Sequence, residues 1–121
     1  MKMKKIIFIV SILTFSVTMT YGQVIVEEVD INELDIKYCQ LIGINKSPFD
    51  QQFIIDIDYG QKFKPFQSQL VKGSDGKAVI FNNMIDALNF MVENGWEYIN
   101  DYAVSAGGNP IYHYLLKRKK N

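Results

Sequence analysis

A single amphipathic helix pattern, between residues 84 and 92, limits the folds open to this chain. Apolar side chains recur there at spacings of three and four, in one stripe: Met84, Ala87, Leu88, Met91 and Val92. Asn82 or Asn83 can cap the first turn, and Asp86 places a carboxylate where a helix start favours one. Asn94-Gly95 ends the pattern, because glycine readily adopts the left-handed conformation after a last turn. One helix can cover only one face of a sheet.

Two hairpins are predicted before this helix. Residues 36–44 and 51–59 flank a segment of turn-forming residues and predict the first. The second run alternates with a period of two, since Phe53, Ile55, Ile57 and Tyr59 oppose Ile54, Asp56 and Asp58. Residues 69–72 and 77–81 flank the tight-turn signal at 73–76 and predict a shorter hairpin.

A third hairpin is predicted after the helix, from strands at 96–104 and 111–118 joined by a Gly- and Pro-rich loop at 105–110. A period of two places Trp96, Tyr98 and Tyr102 opposite Ile99 and Ala103, and Tyr112 and Tyr114 opposite Ile111 and Leu115. Both faces are therefore apolar or aromatic, and the face without the helix is expected to meet the N-terminal arm, a second subunit or a ligand. The order of elements predicts an α+β fold, an antiparallel β-sheet of about four to six strands with one helix packed on one face.

The N-terminus has the pattern of a cleavable secretory leader. Lys2, Lys4 and Lys5 precede an apolar run at 6–17, which is shorter than the roughly 20 residues that span a membrane. Thr20 and Gly22 suit a cut before Gln23. We therefore predict a signal peptide at 1–22, an N-terminal arm at 23–35 and a single α+β domain at 36–121. The mature protein is expected to be periplasmic or secreted without a stable membrane anchor; the alternative is an uncleaved anchor.

Charge and cysteine content restrict the partners and the sources of stability. The chain has 13 basic and 13 acidic residues, and three basic ones lie in the leader, which leaves 10 − 13 = −3 for the mature chain. An excess of acid argues against a nucleic-acid surface. The one basic cluster, Lys117-Arg118-Lys119-Lys120, is explained as a solvated tail at least as well as by a phosphate site.

Cys39 is the only cysteine, so no disulfide forms within one chain, and a buried apolar role is favoured over an intermolecular bridge.

Three constellations that could carry chemistry have simpler structural interpretations. His113 is the only histidine and has no ligand partner at a metal-binding spacing, which favours a structural or interface role. Asp56 and Asp58 lie about 7 Å apart on one strand face and could serve acid–base chemistry or Ca²⁺, but a wetted strand face has the same pattern. Cys39 with His113 is the remaining pair, and neither lies in a nucleophile turn. We predict no enzyme activity and no catalytic, cofactor or metal site.

Aromatic residues of the terminal hairpin give the candidate interaction surface, because tyrosines bury large areas at low entropic cost. Its predicted members are Tyr98, Tyr102, Tyr112, His113 and Tyr114. Trp96 follows the helix directly and is predicted to be core. The leading functional hypothesis is a non-enzymatic interaction module that binds itself or another envelope protein. The alternative is a glycan or peptide binder that uses an aromatic sheet face.

The second half of the chain also resembles a known pattern. Its residues are Gly76-Lys77, Phe81, Met84-Ile85-Asp86-Ala87-Leu88-Asn89, Asn94-Gly95-Trp96-Glu97 and Tyr112-His113-Tyr114-Leu115-Leu116-Lys117. This pattern is similar to small exported proteins of Bacteroidota of unknown function, and its helix, Gly-Trp-Glu and terminal hairpin resemble a short domain-of-unknown-function family. The resemblance implies a periplasmic or secreted location in a Gram-negative cell, and implies no functional residue.

Overall fold

A computed structural model describes residues 22–47, 50–62, 69–73 and 75–120. Most of the predicted signal peptide therefore lies outside the described residues. Within them the elements are strands β1 (Ile25–Val26), β2 (Val29–Asp30), β3 (Tyr38–Ser47), β4 (Asp50–Asp58) and β5 (Val71–Lys72), helix α1 (Met84–Glu93), and strands β6 (Trp96–Ala106) and β7 (Asn109–Arg118). A short 3-10 turn at Ile31–Glu33 follows β2. The protein is thus α+β and mostly β, with antiparallel strands, as the sequence predicts.

The larger sheet has four antiparallel strands in the order β4-β3-β7-β6. The first and third predicted hairpins are confirmed as β3–β4 and β6–β7, and β3 pairs with β7 to join them. The predicted six-residue loop at 105–110 is too long, because the strands pair as far as Ala106 and Asn109. Gly107 and Gly108 alone make the turn with φ of 65° and 91°, values that glycine adopts without steric cost.

A second sheet of three short strands, in the order β2-β1-β5, brings the total to seven strands rather than the four to six expected. Its strand β5 belongs to the second predicted hairpin, in which the Val79 amide donates to the Val71 carbonyl at 2.9 Å. The other two strands come from the predicted N-terminal arm. Val24, Val26 and Ile31 of that arm are fully buried in the common core, so the arm packs as part of the folded structure.

Helix α1 has the predicted caps and the predicted buried stripe. Asn83 Oδ1 accepts from the Asp86 amide at 2.9 Å, which satisfies one amide of the first turn, and Asp86 Oδ2 accepts from the amide of Asn82, the residue before the N-cap, at 3.0 Å. Met84, Ala87 and Met91 are buried. Gly95 follows the helix with a φ of 94°.

The helix and the arm cover the same face of the four-stranded sheet, which we call the inner face. Its buried residues are Cys39, Leu41, Ile55, Ile57 and Leu116. Met84 approaches this face over Gly43, where an added Cβ would collide with the Met84 sulfur. The opposite side, the outer face, consists of the alternate positions of the same strands. The residues at its centre, Gln40, Ile42 and His113, are only partly buried, so this face is the one to consider for binding.

Candidate functional site

A β-bulge at Ile99 decides which aromatic residues reach the outer face. Tyr98 pairs with Leu116 and Asn100 pairs with Leu115, so Ile99 is an extra residue without a partner in the ladder. Beyond the bulge the alternation of β6 is reversed. Tyr102 pairs with His113 and therefore lies on the outer face. The period-two prediction that Tyr98 and Tyr102 share a face is wrong, because a regular alternation does not allow for a bulge.

The five predicted surface residues are consequently divided between two faces. Tyr112 and Tyr114 are half-buried and pack against the core from the inner face. Tyr98 lies at the edge of the same face, with its ring 6.0 Å from that of Tyr114. Its hydroxyl donates to Asp101, and this hydrogen bond raises the pKa of Tyr98. Tyr102 and His113 alone lie on the outer face.

Tyr102 and His113 form an ordered pair with Gln40 at the centre of the outer face. Their rings stack with centroids 4.6 Å apart and planes inclined by 6°. The Gln40 amide nitrogen donates to the Tyr102 hydroxyl at 3.3 Å, and Gln40 Oε1 lies 3.4 Å from His113 Nδ1. An amide oxygen can only accept, so a hydrogen bond between these two atoms requires a proton on Nδ1. The polar atoms of the three side chains thus satisfy one another in part.

A row of aliphatic side chains crosses the outer face beside this cluster. Val104 pairs with Ile111, Ile111 with Ile44, and Ile44 with Ile54, so one β-branched residue from each strand lies in line. Phe81 bridges Phe53, which places Ile80 next to Ile54 at the end of the row. We call these residues the aliphatic row: Val104, Ile111, Ile44, Ile54 and Ile80.

Three of the five residues of the aliphatic row are exposed to solvent. Ile80 is 62% exposed, Val104 45% and Ile44 39%, while Ile54 and Ile111 are half-buried. The sequence signals that these strands are apolar on both sides, but not that the residues align. Alignment depends on the pairing register of all four strands, including that of β3 with β7, which are distant in the chain, and no local pattern specifies it.

Cys39 and His113 do not meet. Cys39 pairs with Leu116 on the inner face, whereas His113 pairs with Ile42 on the outer face. Cys39 is buried, and burial raises the pKa of its thiol to about 12, while the charge of Arg118 lowers it to a smaller extent. The thiol is therefore protonated at neutral pH and separated from the imidazole by the sheet.

Asp56 and Asp58 lie on the outer face of β4, as their alternation predicts, beside a pocket of about 220 Å³ lined also by Ile42, Gln61 and Gln69. Burial raises the pKa of Asp56, a hydrogen bond from the Gln69 backbone opposes that shift, and nearby Glu27 adds to it. One Asp56 carboxylate oxygen is buried without a hydrogen-bond partner among the described residues. Within those residues no group of three or more His, Cys, Asp or Glu side chains could hold a metal ion.

No protein-family profile, curated protein or solved structure matches this chain. The resemblance to small exported Bacteroidota proteins therefore stays a prediction. In the part of the chain that the structure describes, no helix is long and apolar enough to cross a membrane.

Proposed function

We propose that this protein is an exported, non-enzymatic interaction module whose outer face binds a protein surface, either a second copy of itself or another envelope protein. The observation that carries the proposal is the aliphatic row, which runs across all four strands on the side opposite the helix. Contiguous exposed apolar surface of this kind marks interaction sites in soluble proteins.

The chemistry of the row favours a protein over a glycan as the bound surface. Its five side chains carry no hydrogen-bonding group, whereas a sugar platform needs polar groups beside its aromatic rings to satisfy the sugar hydroxyls. The four tyrosines proposed for such a platform lie on two faces. An apolar protein surface has the complementary chemistry for the row.

The polar centre of the outer face is prepared for coverage by a partner. Gln40, Tyr102 and His113 are already hydrogen-bonded or stacked with one another. Polar groups that keep partners when water leaves cost less to desolvate than unpaired ones. Stacking also restricts the rotamers of Tyr102 and His113 before binding, which reduces the entropy lost in the complex.

The predicted leader cleavage is compatible with the described core. Val24 is the first buried residue that the structure describes, and it follows the predicted cleavage site by one residue. A cut before Gln23 therefore leaves all of the described core residues in the mature chain.

Native mass spectrometry of the protein recovered from the periplasm tests the proposal. We expect a chain that starts at Gln23 and appears as a dimer or with a bound companion protein. The double variant Ile44→Thr/Ile111→Thr keeps β-branched residues in the strands but interrupts the aliphatic row, and we expect it to appear as a monomer.

The matched control is Ile85→Gln, which removes an exposed isoleucine from α1 and introduces a good helix former. It should keep the dimer or companion. A wild-type protein that remains a bare monomer, or a control that dissociates as readily as the double variant, would contradict the proposal.

A further inference from the structure

A cationic pocket lies at the end of β7, apart from the aliphatic row. It has a volume of about 300 Å³ and is lined by Lys37, Tyr38, Lys117, Arg118, Lys119 and Lys120. Five of the 13 lysines and arginines of the whole chain therefore line one pocket. A volume near 300 Å³ is at the lower end of the range for small-molecule sites.

The last residue of β7 and the residue after it are held in place rather than frayed. The Arg118 amide donates to the Lys37 carbonyl at 2.8 Å, and the Lys119 amide donates to the Gly95 carbonyl at 2.9 Å. The Lys119 ammonium donates to the Val92 carbonyl, near the end of α1, at 2.9 Å. The pocket is therefore built from a segment attached both to the start of β3 and to the end of the helix, which differs from the solvated tail that the sequence suggests.

Most of the positive charge in this pocket is not neutralised. Glu97, 3.3 Å from Lys117, is the one carboxylate that the described residues place within ion-pair distance of a pocket cation. Arg118 is hydrogen-bonded to the neutral side chain and carbonyl of Asn32, at 2.7 and 3.3 Å. Lys37 and Lys120 are exposed, and their ammonium groups make no hydrogen bond or ion pair within the described part of the chain.

We propose that this pocket binds the phosphate group of a small molecule or lipid headgroup. Several ammonium groups with little compensation match a multiply charged anion with three or more acceptor oxygens, and a carboxylate would need only one or two of them. Lys37 and Lys120 supply mobile charges, while Arg118 and Lys119 are fixed and contribute to the field. The exposed Tyr38 lines the pocket and offers a hydroxyl donor.

Titration of the ¹⁵N-labelled protein with inorganic pyrophosphate, followed by amide chemical shifts, tests this site. We expect saturable shifts confined to residues 37–38, 95–97 and 117–120. The variant Lys37→Gln/Lys120→Gln should weaken pyrophosphate binding about five- to tenfold, as expected for the loss of two exposed ion pairs. The control Lys72→Gln/Lys77→Gln changes the net charge equally at the distant β5 hairpin and should leave the affinity unchanged.

Sedimentation with phosphatidylcholine vesicles, with and without phosphatidic acid, distinguishes the source of the phosphate. Binding only to free pyrophosphate indicates a soluble phosphorylated molecule, and additional binding to the phosphatidic acid vesicles indicates a lipid headgroup. The absence of saturable shifts together with no vesicle binding overturns the proposal. Equal weakening by both double variants also overturns it, because the effect would then reflect net charge alone.

Discussion

The indole N–H of Trp96 donates to Asn32 Oδ1 at 2.8 Å, and this contact joins the start of β6 to the N-terminal arm. The same oxygen accepts from the Arg118 guanidinium at 2.7 Å, and the guanidinium lies 5.3 Å from the Trp96 ring centroid. The Asn32 amide nitrogen donates to the carbonyls of Gly22 and Asn94, at 2.6 and 2.9 Å. One arm residue therefore connects the helix end, β6 and the end of β7.

We expect Asn32→Ala to lower the free energy of unfolding by about 2–3 kcal/mol, because the fully buried Trp96 loses its indole acceptor and the Arg118 guanidinium loses its contact with the Asn32 side chain. Urea unfolding followed by tryptophan fluorescence measures the change, and Trp96 is the only tryptophan. Asn89→Ala, at an exposed helix position, is the control. If the two variants were equally stable, the arm would not have the connecting role described above.

The turn between β1 and β2 is strained. Val26 pairs with Val29, and the two residues between them, Glu27 and Glu28, have positive φ values of 47° and 69°. Left-handed conformations are unfavourable for residues with a Cβ, and two-residue turns of this kind prefer Asn-Gly. We expect Glu27→Asn/Glu28→Gly to raise stability by about 1 kcal/mol, or Tm by about 5 °C.

Glu27→Gln/Glu28→Gln is the matched control for this turn, since it removes the same two charges and keeps the backbone strain. Thermal unfolding of both variants separates the two effects. An equal gain in Tm from both would show that charge, and not backbone conformation, limits the stability of the turn.

Asp56 is expected to make stability depend on pH. Its folded-state pKa is raised, mainly by burial, so the folded protein binds this proton more tightly than the unfolded chain does. Protonation of Asp56 therefore stabilises the folded state at low pH. This contribution to the free energy of unfolding is lost as the pH rises from the unfolded pKa of about 3.9 through the folded value.

Asp56→Asn should therefore stabilise the protein at pH 7, and the gain should shrink towards zero near pH 3. Urea unfolding across this range measures it, with the exposed Asp75→Asn as a control for removing one negative charge. A gain that stays constant with pH would contradict the raised pKa.

Cys39 should be unreactive in the folded protein. Its thiol is buried, and the pKa of about 12 leaves almost no thiolate at neutral pH. We expect a thiol-specific reagent such as DTNB to label the native protein no faster than it unfolds, and to label it stoichiometrically in urea. Because Cys39 is the only cysteine, the signal reports on this site alone. Rapid labelling of the native protein would place the thiol at the surface.

Local patterns predict the parts of this fold that depend on local interactions. The alternation from Phe53 to Tyr59 requires only the pleat of one strand, and the capping of α1 by Asn83 requires only neighbouring amides. The core role of Trp96 is also predicted correctly, because a large aromatic residue directly after a helix stop can pack beneath that helix.

The features that the sequence does not predict depend on contacts between distant segments. Ile99 has no glycine or proline beside it to signal a bulge, so the reversal that brings Tyr102 to His113 is visible only in the strand pairing. The turn at Glu27-Glu28 lacks the usual turn residues, so the sequence gives no signal for the β1–β2 hairpin. The alignment of the aliphatic row depends on the register of β3 with β4 and β7. That register results from the pairing of the whole sheet, so no single segment of sequence reveals it.

Site-specific photo-crosslinking in the producing cells tests the interaction surface most directly. A photoreactive phenylalanine analogue at position 104, in the aliphatic row, should form a discrete crosslinked product that contains a second copy or one envelope protein. The same analogue at position 85, on the exposed side of α1, should not form that product. Crosslinking from position 104 that is absent, or no greater than that from position 85, would contradict the account.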